Sequence, residues 1–196
     1  MSLFCFMMDF FTLPTSITIG DRTHEIRTDF RVILEIISML SDPDLDNADK
    51  TEALLEMFYV NPEEIEDYQT AVDMAFQFID NSRRENKKNS PKLTDWEQDF
   101  NFYISPVNHV LGYDARSVAY DVETNTGGLH WWTFLSAFME ISNDCLYSQI
   151  ISIRDKQARH KPLDKSEKDW ARRNADIIRI KTTYSAAEEA ILKEWT

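Results

Sequence analysis

The chain has 196 residues, with 34 Asp and Glu against 21 Lys and Arg, for a formal charge of −13. A field of that sign repels a phosphate backbone, which sets nucleic acid aside as a ligand, and 43% hydrophobic content at this length supplies a self-supporting core without metal or disulfide. Only 4 glycines beside 12% aromatic residues point away from a turn-rich all-β fold, so the expectation is a mainly α, single multi-helix domain over 1–196 with a small N-terminal β-hairpin.

Residues 1–12 read as an apolar arm, Met1-Ser-Leu-Phe-Cys-Phe-Met-Met-Asp-Phe-Phe11-Thr12. It lacks a basic leader and a small-residue cleavage site, and Asp9 interrupts it, so it fits neither a signal peptide nor a membrane span. Met7 and Met8 are candidate translation starts and candidate partner contacts. Residues 13–27 carry a hairpin signal: Thr15-Ser-Ile-Thr-Ile19 and Arg22-Thr-His-Glu-Ile26 flank Gly20-Asp21, which places Ile17, Ile19, His24 and Ile26 on one face.

Residues 28–82 read as helices. Thr28 or Asp29 caps the first, whose Ile33, Ile36, Ile37 and Leu40 recur at helical spacing until Asp42-Pro43. Asn47 opens a second with Leu54, Leu55 and Phe58 inward. Asn61-Pro-Glu-Glu64 offers a cap, a first-turn proline and early acids for a third, with Ile65, Tyr68, Val72, Phe76 and Ile79 as its inward stripe. Residues 83–93 form a basic loop, and Arg83, Arg84, Lys87 and Lys88 are candidate contacts there.

Residues 94–196 return to helix. Thr94-Asp-Trp-Glu97 has the capping-box pattern, Trp96, Phe100, Tyr103, Val107 and Leu111 follow inward, and Ser105-Pro106 predicts a kink before Gly112. After a turn at Asn125-Thr-Gly-Gly128, Leu129–Met139 is apolar nearly all round and reads as the central helix. Leu146, Ile150 and Ile153 mark the next. Asp164-Lys-Ser-Glu167 caps a long terminal helix carrying Trp170, Ile177, Ile178, Tyr184, Ile191 and Trp195, the last a further candidate contact. Residues 151–196 hold eleven basic and eight acidic side chains, leaving −16 on residues 1–150.

Catalytic, cofactor-binding and metal-ligating residues are not assigned. Four histidines at 24, 109, 130 and 160 lack zinc-ligand spacing, and no Walker A loop, GxGxxG, G-x-S-x-G or Glu-x-x-His pattern occurs. Cys5 and Cys145, far apart and outside any CxxC, read as free thiols of a reducing compartment. Pairing Cys145 with His109 as nucleophile and base is open to any protein with both residue types. The surplus of 5 Trp, 12 Phe, 7 Tyr and 7 Met predicts instead an exposed aromatic groove or patch for a protein partner.

Three segments together resemble the bacteriophage gene product fifteen family: Leu13-Pro-Thr-Ser-Ile-Thr-Ile-Gly20 with Arg27-Thr-Asp-Phe-Arg31, Leu129-His-Trp-Trp-Thr-Phe134, and Gln149-Ile-Ile-Ser-Ile-Arg-Asp-Lys156. That resemblance implies a non-enzymatic protein of long-tailed phages encoded just ahead of the tape-measure protein. By position it implies a tail assembly chaperone in the host bacterial cytoplasm that binds the tape-measure protein and recruits tail-tube subunits. A homo-oligomer, a minor structural part of the tail or neck, and a small enzyme or host-directed effector stay open as alternatives.

Overall fold

A β-hairpin leads into a series of helices in this computed structural model, which describes residues 11–81 and 91–181. Strands β1 (Ser16–Ile19) and β2 (Arg22–Glu25) pair antiparallel, with Ile19 opposite Arg22 across Gly20-Asp21. Gly20 takes φ +60°, the left-handed geometry that a two-residue turn of this hand asks of its first central position. Ile17, Ile19, His24 and the following Ile26 are all buried on one face, as the alternation predicts.

Helix α1 (Phe30–Leu40) is capped by Asp29, and its Ile33 and Ile36 are buried before the chain leaves at Ser41-Asp42-Pro43. Helix α2 (Asn47–Phe58) is capped by Asp46 and turns Leu54, Leu55 and Phe58 inward. The third helix departs from expectation. Pro62–Glu64 makes a single 3-10 turn, Ile65 is buried in extended backbone, and Asp67 starts α3 (Tyr68–Ile79) afresh by accepting from Thr70 N. The restart rotates the helix: Ala71, Met74, Ala75, Phe78 and Ile79 face inward, whereas Tyr68 and Phe76 of the predicted stripe are exposed.

Helix α4 (Phe100–Leu111) begins six residues after Thr94, not at it. The Thr94 hydroxyl bonds the Tyr147 hydroxyl at 2.7 Å in place of a cap, and Asp95 and Asp99 organise the intervening turns by accepting from Gln98 N and Asp95 N. Pro106 sits inside α4 without ending it, and Gly112 at φ +79° closes the helix as predicted. After α4, β3 (Tyr120–Asp121) and β4 (Thr126–Gly127) form a second small hairpin.

Helix α5 (Trp131–Met139) is the central helix expected, with Trp131, Trp132, Phe134 and Ala137 buried. Its two indoles donate to the Ile79 and Phe78 carbonyls at 2.8 and 2.9 Å, satisfying groups left open at the end of α3. Phe134 stacks on Phe30 at 4.5 Å and on Trp131 at 5.8 Å, which joins α5 to α1. Helix α6 (Leu146–Ala158) follows, then α7 (Lys165–Arg173), whose Asp164/Glu167 capping box forms in full. The predicted long terminal helix instead breaks at Asn174 and resumes as one turn, α8 (Ala175–Ile178); Tyr184, Ile191 and Trp195 lie outside the described residues.

Two carboxylates tie these helices together. Asp29, 2% exposed, accepts from Arg31 N, from the Arg31 guanidinium through both oxygens, and from Leu129 N at 2.8 Å. Backbone bonds from Phe30 N to Leu129 O and from Trp131 N to Thr28 O complete the seam, so the N-termini of α1 and α5 are sewn to one another. Gly128 makes room: at φ +83°, a Cβ there would stand 2.5 Å from the Asp29 Oδ2. His130 caps α5 by accepting from Trp132 N at Nδ1, while Nε2 lies 3.0 Å from the Pro14 carbonyl. Further along, Asp99 and Arg154, 0% and 5% exposed, form a bidentate pair, and Arg154 also donates to the carbonyls of Leu93, Ile177 and Ile178.

Two predictions follow from these buried groups. Arg154→Met leaves the Asp99 carboxylate buried without its cation and lowers the unfolding free energy by about 3–5 kcal/mol; urea titration reads the loss, and a change below about 1 kcal/mol contradicts the assignment. Burial also lowers the His130 pKa from 6.5, against an opposing hydrogen bond to Pro14 O. A lowered folded pKa means that the unfolded chain takes up the proton first, so this contribution to stability is intact above pH 6.5 and is lost as pH falls below it. His130→Asn, which retains an oxygen to accept from Trp132 N, removes that component of the pH slope in urea midpoints.

Candidate partner-binding surface

All seven contact residues picked from the sequence, Met7, Met8, Arg83, Arg84, Lys87, Lys88 and Trp195, lie outside the described residues. The described residues offer another surface, which begins from the amphipathic character of α1. The inward face of α1 carries Phe30, Ile33 and Ile36, and the adjacent side presents Leu34 and Ile37, both half-buried. The segment 92–101 runs opposite, because Asp99 at its end is anchored by Arg154 and Trp96 in its middle is held by aromatic neighbours. The Trp96 ring meets Tyr103 and Trp131 edge-on at 5.7 Å each and Phe138 at 4.8 Å, so one side is fixed in the core and the other remains accessible.

Between these walls lie two adjoining hollows. One of about 470 Å³ is lined by Leu34, Trp96 and Phe100 over Phe30, and is mainly apolar. The other, about 950 Å³, continues past Ile37 to Pro43 on one side and to Ile180 on the other. Both include Ser38, Trp96 and Glu97. There the Ser38 hydroxyl donates to the Glu97 carboxylate at 3.0 Å, a bond that links the walls midway.

The margins of this groove are acidic. Glu35, Asp42, Asp44, Asp95 and Glu97 line it. Of its cations, Arg31 is engaged by Asp29 at 2.7 Å, which raises its pKa, and Lys92 is paired with Asp95 at 2.8 Å. Lys181 also borders the wider hollow. Elsewhere, Tyr68 and Phe76 of α3 lie exposed, 58% and 41% accessible, and line none of these hollows. A third hollow of about 420 Å³ beside the first hairpin is bordered by Asp21, Glu64, Glu66 and Asp67 and has no aromatic side chain in its lining other than His24.

The other residues with chemical potential have local roles. Cys145 caps α6, its sulfur accepting from Ser148 N at 3.4 Å, and His109 is exposed on the last turn of α4. Among the described residues, no group of three or more His, Cys, Asp or Glu side chains is placed to hold a metal ion. Nor is any described helix long and apolar enough to cross a membrane.

The class that these elements define is a mainly helical domain with an N-terminal hairpin and a half-exposed aromatic groove along its first helix. The model of the family described as Bacteriophage Gp15 protein matches residues 11–184, and the chain belongs to that family. No curated protein and no solved structure matches it. The segments that carry the resemblance in sequence fall on the internal seams: Arg27–Arg31 and Leu129–Phe134 meet at Asp29, Pro14 meets His130, and Arg154 holds Asp99.

Sequence periodicity did not single out the groove, since Leu34 lies beside the predicted Ile33/Ile36 stripe and Trp96 and Phe100 read simply as inward. The signal for its edge was the spacing of Leu34 one position past Ile33, which places a leucine at the flank of the buried arc. A residue there should matter little to folding. Leu34→Ser is expected to cost about 1 kcal/mol or less, whereas Phe134→Ala in the core costs about 3–5 kcal/mol; a Leu34 loss equal to that of Phe134 in parallel urea titrations would make the groove a core element.

Proposed function

We propose that the protein is a non-catalytic tail assembly chaperone, and that it takes an amphipathic helix of the tape-measure protein into the groove along α1. Membership of the phage family supplies the biological setting, and the observation that carries the binding mode is the accessible wall formed by Leu34, Trp96 and Phe100. Helix-in-groove recognition needs a long apolar depression whose sides are already positioned. The 11 residues of α1 span about 16 Å, room for roughly three turns of a partner presenting apolar side chains at i, i+4 and i+7.

In this reading the charge of −13 keeps the complex soluble while the apolar face of an aggregation-prone helix is covered. Action at this stage of assembly places the protein in the host cytoplasm, outside the finished particle. Tail-tube subunits are then the second partners, reached through surfaces away from the groove.

The test is co-expression with the neighbouring tape-measure protein. The expected result is a complex recovered from the soluble fraction and a several-fold rise in soluble tape-measure protein, both lost in Leu34→Glu/Phe100→Ser. The protein should also be missing from purified virions. Recovery in mature particles, with no effect on tape-measure solubility, would replace the chaperone by a structural tail or neck component.

A further inference from the structure

The groove combines an apolar floor with margins on which five carboxylates outnumber three cations, Arg31, Lys92 and Lys181. Its floor is Leu34, Ile37, Trp96 and Phe100, and the acids Glu35, Asp42 and Glu97 stand along both walls. Arg31 is bonded to Asp29 and Lys92 to Asp95, so both already have carboxylate partners, and Lys181 borders the far end of the wider hollow. An apolar helix entering this site therefore brings its flanking residues beside carboxylates, of which Glu35 and Glu97 are exposed and so sensitive to salt.

Resting on the chaperone reading above, we infer that the groove selects its helix by charge: it takes amphipathic helices whose apolar stripe is flanked by Lys or Arg, and rejects those flanked by Glu or Asp. The two walls divide the work. The floor supplies affinity for any apolar stripe, while Glu35 on α1 and Glu97 on the opposite wall determine which stripe is kept. Glu97 is held at the groove by the Ser38 hydroxyl, which donates to one carboxylate oxygen, and the residue is exposed. Like charges brought together across such a seam are disfavoured, so the margins act mainly by exclusion.

The experiment uses the full chain and two synthetic helical peptides with identical leucine and tryptophan stripes, one flanked by lysines and one by glutamates, followed by fluorescence anisotropy. The lysine-flanked peptide is expected to bind at least about tenfold more tightly, with the difference shrinking at high salt. Glu35→Lys/Glu97→Lys should abolish or invert the preference. Glu52→Lys/Glu123→Lys, the same change in net charge at exposed positions outside the groove, should leave it largely in place. Circular dichroism verifies that both double variants are folded.

Equal binding of the two peptides, binding of neither, tighter binding of the acidic one, or equal erosion by the two double variants would each overturn the inference. Solubility rescue of the tape-measure protein combined with charge-blind peptide binding would remove the charge rule and leave the chaperone. Charge-selective binding without rescue would do the reverse.

Discussion

Asp29 is the constraint on which the arrangement depends. One buried carboxylate caps α1, accepts the Leu129 amide that leads into α5, and binds Arg31, while neighbouring backbone bonds join the same two chain segments. A buried charge is tolerable only when each oxygen has donors, and here the donors come from both helices at once. The two N-termini therefore cannot separate without exposing an unsatisfied carboxylate and two open helix ends. With α5 fixed on α1, Phe134 reaches Phe30 and the paired indoles reach the end of α3, so three helices inherit their placement from one junction.

The second junction works at the other wall. Arg154 engages Asp99 and three carbonyls, which brings α6, the start of α4, Leu93 and the Ile177–Ile178 turn to a common point. Trp96 lies between the two junctions, with its inner side against Trp131 and Phe138. The groove is thus the gap left where α1, set by Asp29, runs past the 92–101 segment, set by Arg154. The segments that most resemble the phage family build the frame of this gap and contribute Arg31 to its margin. The surface itself is formed by Leu34, Trp96 and Phe100, which lie outside the quoted segments.

Local signals read well where one residue controls one element. Gly20-Asp21 gave the hairpin, Asp42-Pro43 the end of α1, Gly112 the end of α4, and Asp164 with Glu167 a complete capping box. Failures arose where a side chain had a competing tertiary partner. Thr94 matches a capping box in sequence but bonds Tyr147, and the helix waits for Asp99. Asn61-Pro62 looks like a helix start, yet burial of Ile65 holds the chain extended until Asp67 begins α3, which turns Tyr68 and Phe76 outward. The Asp99–Arg154 pair spans 55 residues and has no local pattern at all. The same limit applied to the site: surplus aromatics implied a groove, but which of them remain accessible is fixed by two long-range contacts, the Asp99–Arg154 ion pair and the Leu129 amide bond to Asp29.

The most direct measurement of the central claim is site-specific photo-crosslinking in phage-producing cells, with the reactive group placed at Asn101 on the groove edge or at Val122 on the second hairpin, both exposed positions. The account predicts a crosslink to the tape-measure protein from Asn101 and none from Val122. A crosslink from Val122 alone, or equal yields from both, would contradict the groove as the binding face.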